Sequence, residues 1–393
     1  MAVAAETQNA GFKLPPLPSN MEVTPVRTSA ERTAFIRFPY SVYAGDPNWV
    51  APLEMERRDF LDPKKNAFFE FGEVELFLAR RAGKVVGRIA AVSNPPYNKE
   101  HGTHVGFFGL FECVNDAGVA RALFEAAAGW LRAKGYTSVI GPMSYSTNYE
   151  CGLLVEGFGT PPAVMMAYNP AYYGELIEAN GFTKAKDLYA WELSSAVEPP
   201  EKVARIAEKI RQREGVTVRP VRLDQFESEV KTLKGLYNAA WEKNWGFVPM
   251  TDREFDHMAR EMKQVVRPEL ALVAEVKGEP VAFSLTLPDA NQALKAANGR
   301  LTQFGLPIGL VKLLLASRRI NRLRLIVLGI KEGYRRRGLD AILYLDTLRT
   351  AKALGYVGGE ISWTLEDNHL VNRAIESMGG KRSKTYRVYE RPL

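Results

Sequence analysis

Runs rich in apolar, β-branched and aromatic residues cover 73–81 and 83–94, and the two are split at Gly83. Such side chains favour strands and the glycine a tight turn, so this pattern predicts an antiparallel hairpin. A third strand is expected at 104–113. The period then changes to that of a helix. Val119, Leu123, Ala126, Ala127, Trp130 and Leu131 recur at helical spacing behind Asp116, an N-cap residue, and Gly135 ends the run. A short strand at 137–142, a polar loop, a helix around 171–182 and a strand ending near 193 complete the first set.

After a charged, helical stretch at 194–215 the order begins again. A strand at 216–221, helices at 226–244 and 252–266 and a hairpin at 270–287 precede an apolar strand at 322–330. A glycine-containing loop, a helix from 339, a strand at 358–365, a helix from 369 and a last strand at 383–391 follow. Both halves read hairpin, strand, helix, strand, helix, strand, which predicts an α/β (α+β) fold made by tandem duplication of one unit. The expected organisation is a flexible arm at 1–22, an N-terminal domain at 23–195, a helical linker at 196–215 and a C-terminal domain at 216–393.

Composition narrows the function. At 393 residues the chain exceeds what one core usually serves, and 46% hydrophobic with 25% charged residues is an ordinary globular balance. The two cysteines, Cys113 and Cys151, and the four histidines form no zinc-ligand spacing, so a reduced compartment and no metal are expected. His101 and His104 read as a solvated loop pair, and Cys151, with no histidine nearby in sequence, as a packed thiol. Nothing in the first 25 residues resembles a secretory signal, so the expected location is the cytoplasm. Lys plus Arg exceed Asp plus Glu by 52 to 45, an excess of +7 that suits an anionic nucleotide cofactor or a lipid surface. No nucleic-acid partner is expected.

The chemistry concentrates at 324–344, "RLIVLGIKEGYRRRGLDAILY", where an apolar strand enters a basic turn that opens a helix. A helix N-terminus presents unpaired N–H groups and partial positive charge, so such a turn can bind phosphate oxygens. Gly333 and Gly338 allow close approach of backbone, Arg335, Arg336 and Arg337 add charge, and Leu339 begins the helix.

At these residues the chain resembles the acyl-CoA-binding loop of GNAT-superfamily acyltransferases, whose pattern is Arg or Gln, two residues, Gly, one residue, Gly or Ala. Arg335 and Gly338 match, while Asp340 stands where the family has its last small residue. The resemblance extends to Asn368, eleven residues before Gly379, which matches an Asn that contacts the pantetheine or phosphate arm. It implies two GNAT units, each a mixed, mostly antiparallel sheet flanked by helices, and acyl-CoA as co-substrate with an amine as acceptor. It also implies that backbone N–H groups at Leu328, Gly329 and Ile330 polarise the thioester carbonyl, with Gly329 permitting a bulge. The family often places a Tyr, the acid that protonates the thiolate, where this chain has Ile375, so Tyr386 or solvent would serve. A carboxylate must take the amine proton, and Glu366, Glu360 and Glu242 are the candidates, Glu366 first because its loop adjoins Asn368. Glu360 and Glu366 are expected on one face of their strand. The first half has "FECVNDAGVARALF" in the equivalent place, so its cofactor site reads as lost, and the polar loop 143–152 suggests a surface facing substrate.

An insertion at 288–323 carries an apolar segment, 304–316, broken only by Lys312 and followed by Arg318, Arg319, Arg322 and Arg324. It suits an interfacial helix at anionic headgroups, one wall of an acyl tunnel, or a helix packed on the sheet. The whole chain is also similar to a bacterial family of two-lobed GNAT proteins that includes ceramide synthases. That similarity implies a fatty acyl group moved to a sphingoid-base amine by an enzyme peripheral on the inner membrane face. Acetyl transfer to a small amine or protein, an aminoacyl-tRNA-dependent ligase and a non-catalytic acyl-CoA-binding protein remain alternatives.

Overall fold

Each strand-forming run becomes a strand, and a computed structural model, which describes residues 20–241 and 244–393, joins thirteen strands in one sheet. The expected arm at 1–22 lies largely outside the described residues. The first half supplies β1 (Met21–Pro25), β2 (Glu73–Arg81), β3 (Lys84–Ser93), β4 (Val105–Cys113), β5 (Ser138–Gly141), β6 (Leu153–Glu156) and β7 (Thr183–Ser194). The second supplies β8 (Val216–Pro220), β9 (Ala271–Val276), β10 (Glu279–Pro288), β11 (Arg322–Ile330), β12 (Gly358–Leu365) and β13 (Lys381–Pro392). Helices α1 (Ser29–Val42), α2 (Glu54–Phe60), α3 (Pro95–His101), α4 (Ala117–Ala133), α5 (Tyr173–Glu178) and α6 (Glu201–Glu214) lie between strands of the first half or follow it. The rest are α7 (Phe226–Trp241), α8 (Asp252–Lys263), α9 (Asn291–Ala297), α10 (Ile308–Ser317), α11 (Leu339–Ala353) and α12 (His369–Ser377). The α/β expectation holds, with a mixed, mostly antiparallel sheet and helices on both faces.

The strand order β1-β2-β3-β4-β5-β13-β7-β12-β11-β10-β9-β8 contains an exchange. The closing strand of the first repeat, β7, pairs with β12 of the second, and the last strand, β13, lies beside β5 and β6 of the first. The two also pair with each other, so each lobe is completed by the other repeat's strand. Burying both strands on two faces makes the junction continuous core rather than a hinge. Leu188, Ala190, Tyr386 and Val388 share one apolar cluster there with Phe68, Phe107 and Tyr145.

Within each lobe one parallel pair opens partway along. Strands β4 and β5 pair from Val105↔Ser138 to Phe107↔Ile140, and β11 and β12 from Arg322↔Gly358 to Leu325↔Ile361. Beyond Leu325 both strands continue, β11 to Ile330 and β12 to Leu365, without pairing. In the loop at 143–152, Met143, Ser144, Tyr145, Ser146 and Cys151 are buried, while the half-buried Thr147 and Asn148 donate to Gly246 O and Val248 O of the second half. Burial pushes the Cys151 thiol up to about 12, the behaviour of a packed thiol.

Candidate active site

The basic turn after β11 ends at Gly338, whose φ of 82° starts α11 without a side-chain cap. Only a residue free of a Cβ sits easily here, because an added Cβ would also lie 2.3 Å from Ile210 on α6. The first amides of α11 are therefore left open, as a phosphate-binding turn requires. Leu339 is buried beneath them and fixes the helix on the sheet. Gly333 lies in open space, Arg336 is exposed, and Arg337 pairs with Glu214 at 3.2 Å while stacking on Tyr334. Arg335 is engaged differently. Its guanidinium donates to Ile330 O at 3.3 Å and to Ala240 O at 2.8 Å, so it ties the turn to the C-terminal carbonyls of α7.

Gly329 serves a close approach rather than the expected bulge. The register shift in β11 falls between Leu285 and Thr286 of its partner, leaving Ile326 as the extra residue. A Cβ on Gly329 would meet the Trp241 ring at 2.3 Å, so the glycine lets that indole lie on the strand. Trp241 stacks on Tyr237 with centroids 4.9 Å apart, and the end of α7 thereby covers the opening. Lys331 N–H donates to Val281 on β10. By the alternation of an antiparallel ladder, the N–H groups of Leu328 and Ile330 then point the other way, into the opening between β11 and β12. Two backbone donors aimed at a gap are what an oxyanion needs.

At the closed end of the gap lies a buried polar cluster. Glu360 accepts from Lys384 Nζ at 2.9 Å and from Ser362 Oγ at 2.7 Å. Arg324 donates to Ser362 Oγ at 2.9 Å and to the carbonyls of Val164 and Ser362. All four residues are buried. Two charges of each sign belong here, because Asp289 is also buried and takes hydrogen bonds from the amides of Val164 and Asn291. Burial raises its carboxyl above the usual range, with the two amides pulling the other way and Glu360 adding to the rise. Burial likewise depresses the Arg324 guanidinium. Removing Glu360 would leave the buried Lys384 ammonium unpaired, at a cost of about 3–5 kcal/mol typical of a broken buried pair.

Tyr386 is fully buried beside this cluster, and its hydroxyl has no hydrogen-bond partner among the described residues. Burial, reinforced by Glu360, holds the phenol protonated well above its ordinary pKa. A buried, protonated and unpartnered hydroxyl is costly unless something else uses it.

Several expected residues do not join this group. Glu366 pairs with Lys184 at 2.6 Å and accepts from the Asp187 amide, so it staples the end of β12 to β7. It does not share a face with Glu360, because the β12 register shifts at Trp363 and the alternation restarts there. Asn368 caps α12, accepting from the Val371 amide at 3.4 Å. Ile375 is core. Glu242 lies outside the described residues.

Sequence reasoning passed over Ser362, Lys384 and Asp289 and assigned Arg324 to a headgroup-facing cluster. The structure corrects this: Arg324 is buried and Arg322 pairs with Glu192. For Arg324 the signal was present, since it is a charge inside a strand between Leu323 and Leu325, whereas Lys384 lies between Ser383 and Thr385 and carries no such mark. Among the described residues, no group of three or more His, Cys, Asp or Glu could hold a metal ion. The open surface clefts, one lined by Lys65, Asp252 and His257 and another by Arg27, Glu75 and Trp130, lie on other parts of the chain.

No protein-family model matches the chain. It is 40% identical over 382 residues to the bacterial ceramide synthase of Caulobacter vibrioides, covering 95% of this chain and 98% of that one. It is 34% identical over 365 residues to Protein YghO of Escherichia coli, covering 92% of each. Among solved structures it resembles a tandem GNAT protein from the clavulanic acid biosynthesis pathway, with a TM-score of 0.54 at 13% identity over 95% of this chain and 98% of that one. A GCN5-related N-acetyltransferase from Sphaerobacter thermophilus gives a TM-score of 0.51 at 13% identity over 96% of each chain. These two likenesses bear on the fold alone, and that fold is the tandem GNAT fold.

Proposed function

The chain belongs to the family of the bacterial ceramide synthase and is an N-acyltransferase, and from that premise we propose that it moves a fatty acyl group from coenzyme A to the amine of a sphingoid-type base. The observation that carries the reading is the pairing of an uncapped α11 N-terminus with a buried acid–base cluster at the other end of one gap. The amides of α11, with Arg336 and Arg337 beside them, suit the diphosphate of the donor. The N–H groups of Leu328 and Ile330 suit its thioester oxygen. Asp340, on the first turn of α11, offsets the dipole charge and narrows the anion's approach to the amides near Gly338.

The reaction breaks the thioester C–S bond and forms a C–N bond. One proton leaves the attacking amine and one reaches the departing thiolate. Glu360 is the reading's acceptor for the first, with Ser362 and Lys384 holding its carboxylate in place and Arg324 holding Ser362. Tyr386 is its donor for the second, with a hydroxyl that remains protonated and carries no other bond. An amphiphilic acceptor resides in a bilayer, so the reading also makes the enzyme peripheral at the cytoplasmic face of the inner membrane. No helix among the described residues is long and apolar enough to cross a membrane.

The test is thiol release from palmitoyl-CoA with and without sphinganine, followed by mass spectrometry of the amide. Release should require the base, and affinity should rise from acetyl- to palmitoyl-CoA. Equal turnover with polyamines or amino acids would remove the sphingoid assignment. Equal affinity for the two donors would remove the fatty one.

A further inference from the structure

We propose that the segment from Phe304 to Arg319 is the surface by which the enzyme sits on an anionic lipid bilayer, with α10 in the headgroup layer. The inference rests on reading the acceptor as a membrane amphiphile and names the docking surface that such a substrate requires. Of the thirteen large hydrophobic side chains exposed among the described residues, six fall within twelve positions here. Phe304 is 98% exposed, and Leu314 and Leu315 are 55% and 57% exposed, far more than a helix packed on the sheet or lining a closed tunnel would show. An exposed apolar patch of this kind marks an interaction site.

The segment is held rigidly on its inner side. A Cβ on Gly309 would lie 1.7 Å from Arg300 O, so the start of α10 rests directly on the backbone that follows α9. Leu310 N–H donates to Leu301 O. The same turn is anchored to the first lobe, where Arg300 pairs with Glu54 at 2.6 Å and Gly299 O accepts from the Glu54 amide. The apolar side chains are thus presented outward by a fixed support rather than by a loose end.

Charge decides what covers them. Between Asp289 and Glu332 the chain carries eight Lys or Arg and no acidic residue. Lys312, Arg318 and Arg319 are exposed and enter no ion pair among the described residues. A second copy meeting this face across a two-fold axis would bring like charges together. A polyanion would leave the leucines uncovered. Only an anionic bilayer offers acyl chains to one set and headgroups to the other. From Arg319 the chain needs only Ile320 and Asn321 to reach β11, where Arg324 stands in the buried cluster, so the docking surface and the acid–base group are ends of one short stretch.

The experiment is co-sedimentation of the full chain with phosphatidylcholine vesicles, with or without phosphatidylglycerol, for the wild type and a Leu310→Glu, Leu314→Glu double variant. Both substituted side chains are solvent-exposed, so Tm and circular dichroism should not change. The expected result is binding to the anionic vesicles that added salt weakens and that the double variant loses by about tenfold or more. Turnover of a vesicle-embedded base should fall in step, while turnover of a detergent-dispersed base should not. A wild type that stays in the supernatant, a variant that sediments like it, or a wild-type dimer that the variant splits would each overturn the proposal. Failure of turnover with the dispersed base would strike the reaction instead, since vesicle binding is read without substrate.

Discussion

The two lobes place the same strand, turn and helix in the same setting and finish them in opposite ways. In the first lobe Asp116 caps α4, accepting from the amides of Gly118 and Val119 at 2.9 and 3.1 Å, and Arg81 pairs with it. The position that a phosphate would take is filled by the protein's own carboxylate. The Met143 amide donates to Phe108 O, and a Cβ on Gly109 would strike Met143 O at 2.3 Å, so the loop after β5 plugs that opening. In the second lobe Gly338 leaves α11 uncapped and β11 faces its gap unpaired. On the proposed reading, the difference teaches that a duplicated ligand site is lost when its open donors find partners within the chain, and kept when they do not.

The largest effect should come from the chemistry. Glu360→Gln keeps the shape but removes the proposed base, and kcat should drop by about 10²–10⁴, read below the variant's own melting temperature. Glu112 is a half-buried carboxylate of the first lobe, held by Tyr43 at 3.0 Å and Tyr173 at 2.7 Å. If Glu112→Gln lowered kcat as much as Glu360→Gln in equally folded protein, the lobes would not differ as described.

Transplanting the first lobe's cap comes next. Gly338→Asp should give α11 its own carboxylate and weaken palmitoyl-CoA binding by about tenfold or more in calorimetry, through repulsion and competition for the same amides. Unchanged affinity would mean that the donor binds elsewhere. Tyr386→Phe should lower kcat by about tenfold or more while leaving Tm equal or higher, because the lost hydroxyl had no partner to strand.

The smallest effects separate the lobes by pH. In Asp116 burial raises the carboxyl, but Arg81 and the two amides outweigh it and the net shift is down from 3.8. Its stabilisation is therefore present above that value and lost as pH falls through the depressed folded pKa. Asp116→Ala should cost about 1 kcal/mol near neutrality, less in acid, and leave palmitoyl-CoA binding unchanged. Asp289 shifts the other way, so the wild type should lose stability as pH rises from 3.8 through the raised folded value. Asp289→Asn should then match or exceed the wild-type Tm at neutral pH, with the gap closing in acid. A gap that widens in acid would contradict the assigned environment.

Much of the fold was legible because each strand and helix carries its own period, from the hairpin at Gly83 to the helix behind Asp116. The strand exchange was not, because a repeat in sequence does not say which lobe a terminal strand joins. β7 and β13 alternate equally well in either place. At the site, Gly338 was readable from local chemistry alone. Arg335 was misjudged because the carbonyl that takes its guanidinium, Ala240, is 95 residues away in sequence. Glu366 displaced Glu360 because one extra residue at Trp363 resets the faces of β12, and Lys184 lies a whole repeat earlier.

The central claim is that one lobe alone holds the donor, with its diphosphate at α11 and its carbonyl at β11. A structure of the chain with a non-hydrolysable palmitoyl-CoA thioether tests it most directly. The account predicts one molecule per chain, phosphates on the amides after Gly338, the acyl carbonyl on Leu328 or Ile330 N–H, and the end of α7 displaced from Gly329. Density at α4 beside Asp116, or a molecule bound without touching α11, would contradict it.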